Sequence, residues 1–182
     1  FLDFKKAFDT VPIQRLLRKI KSYGIDAKVY SWSGQFLTER RIRINVRGGW
    51  SIWREVLSGV PQGSVLGPIL FLIFVNDLPD WMLSSIKLFA DDTKIWKEIR
   101  SVDDQQVLQT DLNRLTEWSD KWLLKLHPDK CKVMHINHKL DTTYYLQDSL
   151  SKHQLIETTM ERDLGVLVSN KMKFTDQSTK AA

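Results

Sequence analysis

Cysteine is almost missing from this chain. Cys131 is the only one in 182 residues, so no intrachain disulfide can form, and the composition suits a reducing, intracellular compartment. The four histidines and that cysteine show no zinc-type spacing. No apolar run reaches the length of a membrane span, and no signal-peptide pattern opens the chain. Repeats, low-complexity tracts and linker-like stretches are lacking too, which points to one domain over residues 1–182. There is no initial Met: the chain begins Phe1-Leu2-Asp3, already inside an apolar, strand-like segment, and stops at Lys180-Ala181-Ala182. It therefore reads as a piece of a longer protein. Hydrophobic residues make up 42% and charged residues 27%, the balance of an ordinary globular domain with a core of its own. Lys and Arg number 27 against 22 Asp and Glu, a net charge of +5 that mildly favours a polyanionic partner.

The chain is organised around Leu88-Phe89-Ala90-Asp91-Asp92. Two adjacent carboxylates sit where the apolar run Ile86 to Ala90 meets a second run, Thr93 to Trp96. The pattern predicts a β-hairpin with the acids at its tip and Ile86, Leu88 and Ala90 on one face. Like charges side by side in a tight turn are costly unless a cation joins them. Mg²⁺ suits such a place, because it takes oxygen ligands from one or two carboxylates and from substrate phosphates. Asp is also a favoured turn residue, so an ordinary Asp-Asp turn is the competing reading.

Phe1 to Phe4 reads as the end of a strand that carries Asp3. Thr10-Val11-Pro12 opens a helix with Ile13, Leu16, Leu17, Ile20 and Tyr23 on one face, stopped by Gly24. Arg15, Arg18, Lys19 and Lys21 ride the other face, as solvated charges or nucleic-acid contacts. Asp26 caps a second helix. Arg41 to Arg47 alternates polar and apolar as a half-buried strand does, with a turn at Gly48-Gly49 and a return through Trp50 to Trp53. Its row Arg41, Arg43, Arg47 could follow a phosphate backbone or protect a sheet edge. Ser58 to Pro68 packs three Gly and two Pro into a loop that permits close backbone approach to a ligand. Pro68 then starts a helix, Ile69 to Leu78, apolar all round and hence expected to be buried. Ser101 with Asp104 resembles a capping box before a long amphipathic helix through Leu108, Leu112, Leu115, Trp118, Trp122 and Leu126, ended by His127-Pro128. Short strands are expected at Val133–Ile136, Thr142–Leu146 and Leu164–Val168, with Gly165 marking a bend.

Phe1 to Asp9, Ser58 to Pro68 and Phe89-Ala90-Asp91-Asp92 resemble, in order, the palm motifs of reverse transcriptases. The wording is closest to non-LTR, LINE-type retrotransposons, jockey-like elements in particular. Trp122 to Met134, with His127-Pro128-Asp129-Lys130-Cys131, is similar to the next palm motif, and Leu164-Gly165-Val166 to the strand that grips the primer end. Ala-Asp-Asp, Phe8 and Pro61-Gln62-Gly63 differ from the usual pattern of RNA-dependent RNA polymerases. Group II intron reverse transcriptases remain cousins.

The resemblance implies an α+β polymerase palm, an antiparallel sheet with helices on one face, lacking the fingers upstream of Asp3 and the thumb beyond Ala182. It implies that Asp3, Asp91 and Asp92 hold two Mg²⁺ ions, with Mn²⁺ as a substitute and the backbone carbonyl of Phe4 as a further ligand. Phe8 would lie under the deoxyribose and exclude a 2′-hydroxyl, although a core aromatic fits that position equally. Gln62, with Gly63 beside it, would contact the incoming nucleotide. Lys130 would protonate the pyrophosphate leaving group; Lys132 competes for that role, and so does a plain solvated lysine. The implied activity is RNA-directed DNA polymerisation from dNTPs on an RNA template with a DNA primer, in the nucleus after synthesis in the cytoplasm. The rival expectations are an inactive retroelement remnant that keeps a palm-like, nucleic-acid-binding fold, and an unrelated α+β domain with an accidental Asp-Asp turn.

Overall fold

Local signals in the sequence build the helices. The computed structural model describes residues 1–137, 141–147 and 151–173; the chain end at Lys180-Ala181-Ala182 lies outside the described residues. Two units are distinct: a helical unit, Phe4–Leu78 with Ser119–Lys125, and a hairpin unit, Phe1–Asp3, Pro79–Trp118 and the residues from Leu126 onward.

The helical unit begins with a single turn, α1 (Ala7–Thr10), and then α2 (Ile13–Ser22), which Pro12 opens and Gly24, at φ +69°, closes. Ile13, Leu16, Leu17 and Ile20 are buried, as their spacing predicts, whereas Tyr23, just past the helix end, is exposed. Each such buried side chain contributes about 1.5–3 kcal/mol. Lys19 is buried with them, 3% exposed, and not on the solvated face. Its ammonium donates to the Phe74 carbonyl and the Asp77 carboxylate and lies 3.7 Å from the Trp122 ring centre. Burial lowers its pKa to about 8. Asp26 caps α3 (Ala27–Leu37) by accepting from the Lys28 N–H.

The expected strand Arg41–Arg47 is broken in two. β1 (Arg41–Ile42) pairs with β4 (Arg54–Glu55), and β2 (Asn45–Val46) with β3 (Gly49–Trp50). Every residue of these strands is exposed, so the half-buried expectation fails. The turn falls at Arg47-Gly48, both at positive φ, one residue before Gly48-Gly49. A two-residue hairpin loop of type I′ requires that geometry. Helix α4 (Leu66–Val75) starts two residues before Pro68, since proline is tolerated throughout a first turn. It buries Leu70, Phe71, Phe74 and Val75 but exposes Ile69 and Leu72 by about half, so it is not covered all round.

In the hairpin unit, β5 (Ser85–Phe89) and β6 (Asp92–Trp96) form the predicted hairpin. Ile86, Leu88 and Ala90 are half-buried and Ser85, Lys87 and Phe89 exposed, the expected alternation. Helix α5 (Val102–Trp122) ends short of the expected Leu126, with Leu123 at φ +57°, and opens with a reciprocal capping box. The Asp104 carboxylate accepts from the Ser101 N–H, and the Ser101 hydroxyl accepts from the Asp104 N–H. Asp111, fully buried on α5, accepts from the N–H groups of Leu83 and Ser84.

The remaining strands are short: β7 (Lys132–Val133), β8 (Tyr145–Gln147), β9 (Lys152–Gln154), β10 (Ile156–Glu157), β11 (Met160–Asp163) and β12 (Val166–Ser169). Leu164 and Gly165 are the turn between β11 and β12, not a strand. Among the described residues the strands form six two-stranded pairs, five antiparallel and one, β7 with β10, parallel. The chain is thus α+β. Phe1–Asp3 makes a bridge rather than a full strand, Leu2 pairing with Thr93.

Candidate active site

Asp3 is held from both sides. Leu2 donates to the Thr93 carbonyl on β6 at 2.8 Å. On the other side Phe1 and Lys132 exchange N–H bonds, and the Asp3 carbonyl accepts from the His127 N–H at 2.8 Å. The Asp3 N–H points at the buried Cys131 sulfur, 3.4 Å away. Hydrogen bonds therefore run without a break from β5 through β6 and Phe1–Asp3 to β7 and β10. The antiparallel bridge at Leu2 and Thr93 places Asp3 opposite Asp92 on neighbouring backbone.

Asp91 lies in the two-residue turn of the β5–β6 hairpin and Asp92 is the first residue of β6. Ala90 enters that turn at φ +52°, a conformation few non-glycine residues adopt. The carboxylates crowd one another. Burial raises the Asp92 pKa above its ordinary value and the neighbouring Asp91 charge adds to this; Lys94 opposes it, and Asp163 and Asp3 push further upward. Asp163 was not expected here. It sits on β11, paired with Lys94 of β6, while Glu161, two residues earlier, pairs with Lys132 at 2.6 Å. Residues i and i+2 of a strand share a face, so β11 sets two acids against two lysines beside the Asp3 segment. Sequence spacing alone could not have revealed this, because the pairing partners lie far apart in the chain.

The Lys130 ammonium stands 3.8 Å from the Asp3 carboxylate, both well exposed. Carboxylate oxygens whose charge is disfavoured by burial and by a neighbouring acid suit a hard divalent cation by donor type and charge. By position they fall short: among the described residues no three His, Cys, Asp or Glu side chains converge closely enough to hold a metal ion.

The other expected residues belong to the helical unit. Phe4 is buried, and Phe8 stacks on Phe71 with ring centres 4.4 Å apart. The loop bearing Gln62 is laced onto the segment after Phe8. Val60 donates to the Phe8 carbonyl, Gly59 to the Val11 carbonyl, and the Gln62 amide to the Asp9 carboxylate at 2.7 Å. Gly59 is required there, since a Cβ would come within 2.6 Å of the Asp9 carbonyl oxygen. Gly63, at φ +78°, faces open space. Asp9 as the partner of Gln62 was missed in the sequence; its place in the first motif was the only signal.

Residues 1–175 match the family described as "Reverse transcriptase (RNA-dependent DNA polymerase)". The chain belongs to the reverse transcriptase family. This reverse transcriptase chain is 34% identical over 139 residues, 71% of its length, to the probable RNA-directed DNA polymerase from transposon BS of Drosophila melanogaster. It is 34% identical over 140 residues to the RNA-directed DNA polymerase from mobile element jockey of the same fly. A third relative, the probable RNA-directed DNA polymerase from transposon X-element, is 28% identical over 187 residues and aligns with 98% of the chain. The alignments cover 15%, 15% and 20% of those relatives, so the chain corresponds to a small part of each. The resemblance to non-LTR elements therefore holds.

Proposed function

We propose that this chain is the palm region, residues 1–182, of a retrotransposon RNA-directed DNA polymerase, adding dNTPs to a DNA primer on an RNA template. The observation that carries the reading is the hydrogen-bonded union of the Asp3 segment with the Asp91–Asp92 hairpin, which crowds carboxylates at one end of β6. Asp3, Asp91 and Asp92 are the residues that would hold Mg²⁺ or Mn²⁺, with the Phe4 carbonyl as a further oxygen. When bound, two such ions supply charge neutralisation for the triphosphate and activation of the primer 3′-hydroxyl. Phosphoryl transfer asks mainly for positioning and charge, so the protein needs few further groups.

Lys130 is the general acid of this reading, giving a proton to the pyrophosphate leaving group. The ion pair between Lys132 and Glu161 supports Lys130 over Lys132. Phe8, its ring braced by Phe71, is the residue that excludes a 2′-hydroxyl. Gln62 and Gly63 contact the nucleotide, Gln62 with its amide oriented by Asp9. Nucleus and cytoplasm are the compartments this reading implies. No helix among the described residues is long and apolar enough to cross a membrane.

Primer extension on a primed RNA template tests the proposal. Asp91→Asn should reduce incorporation to background; normal incorporation by that variant would refute the metal assignment. One observation favours a second reading, an inactive remnant with the same fold: three metal-ligating side chains do not converge among the described residues. Titration with Mg²⁺ or Mn²⁺ separates the two. Binding lost in an Asp91→Asn, Asp92→Asn double variant supports the enzyme. Equal weak binding by both proteins, with dNTP and primed template present, supports the remnant.

A further inference from the structure

The hairpin of residues 41–55, in the helical unit, takes no part in the proposed chemistry. Between its two paired ends, Arg43 and Ile44 face Ser51, Ile52 and Trp53, so one strand carries an extra residue. Such a bulge sharpens the local twist. Here it brings Trp50 and Trp53 onto the face that bears Arg43. The Arg43 guanidinium lies over both rings, 4.1 Å from the centre of Trp50 and 4.6 Å from that of Trp53. The two indoles remain 58% and 55% exposed.

Arg41, Arg43, Arg47 and Arg54 are exposed along the same hairpin, and none of them has an ion-pair partner among the described residues. Against them stands one acid in residues 41–55, Glu55, for a net charge of +3 (4 − 1). An edge strand needs charge only to repel another edge. That need accounts for the arginines but not for two large indoles held open to solvent beside them.

We infer that this Arg–Trp face is a binding surface for single-stranded nucleic acid. Unpaired bases stack on the exposed indole and guanidinium planes, and phosphates meet the arginines. Stacking requires the base faces to be free, so unpaired strands bind better than duplex. The surface is independent of the acids, and the inference does not rest on polymerase activity.

The test is fluorescence anisotropy of the whole chain with a labelled single-stranded oligonucleotide of about a dozen nucleotides. A Trp50→Ala, Trp53→Ala double variant should bind at least about tenfold more weakly, while Trp50→Phe, Trp53→Phe should keep most of the affinity. Arg41→Gln and Arg47→Gln should each lower the slope of log K against log salt by about one. Circular dichroism checks that the variants fold. Unchanged affinity in a folded double-alanine variant would overturn the inference. So would a double-alanine variant that loses as much affinity for duplex of the same length as for the single strand. A third adverse result is absence of oligonucleotide binding together with a dimer, seen in sedimentation, that the double-alanine variant abolishes; the face would then bind protein.

Discussion

Two hairpins of this chain look alike in sequence and differ in structure. The acid hairpin, β5–β6, and the arginine hairpin at 41–55 both alternate polar and apolar residues around a two-residue turn. The first has five-residue strands, a buried Thr93 and half-buried Ile86 and Leu88. The second is broken by a bulge and exposes Ile42, Ile44, Val46 and Ile52. The acid hairpin has the Phe1–Asp3 segment hydrogen-bonded along β6. No described segment bonds in that way along either edge of the other. Alternation thus tells which residues share a face; a neighbouring segment decides whether the strand's edge is paired.

Truncating the segment paired with β6 should have the largest effect. Leu2→Ala, at a residue only 6% exposed, should cost about 3 kcal/mol in urea unfolding. Ile44→Ala, 62% exposed, should stay within about 0.5 kcal/mol. Equal losses would erase the distinction between the hairpins. The Lys94–Asp163 pair ranks next. Its side chains are about one-quarter exposed, and a double-mutant cycle with Lys94→Met and Asp163→Asn should give a coupling of about 1 kcal/mol.

The two turns predict changes of opposite sign. Gly48→Ala places a side chain at φ +84° and should destabilise, whereas Ala90→Gly relieves φ +52° and should stabilise, each by about 1 kcal/mol. The smallest effect is the pH dependence at Asp92. Its folded-state pKa is raised, so the folded protein binds more protons than the unfolded chain, and stability falls as pH rises through that range. Asp92→Asn should match the wild type near pH 3 and exceed it in thermal stability at pH 7 without divalent ions. A wild type that gains stability over the variant as pH rises would reverse the sign.

Helices and caps were legible because their determinants are local. Asp26, Gly24 and the Ser101–Asp104 box act within a few residues of themselves. The acid hairpin was legible for the same reason. The setting of Asp3 was not: its backbone partners, His127 and Cys131, lie more than 120 positions along the chain, and nothing near Asp3 announces them. Asp163 and Lys19 escaped for related reasons. A charged residue at a polar-looking position gives no sign that a distant carboxylate or aromatic ring will receive it. The α+β class could be read from the residues and their resemblance, but the hydrogen-bonded order of the segments around Asp3 needed three dimensions.

Cys131 gives that order a reporter. It is fully buried with its sulfur against the backbone of Asp3, and burial raises its pKa. Alkylation needs the exposed thiolate, so modification must wait for the Asp3 segment to lift away. Because the chain has no second thiol, the labelling rate measures how often the Asp3 segment opens. A ligand that braces the acids would slow that clock, with no turnover required.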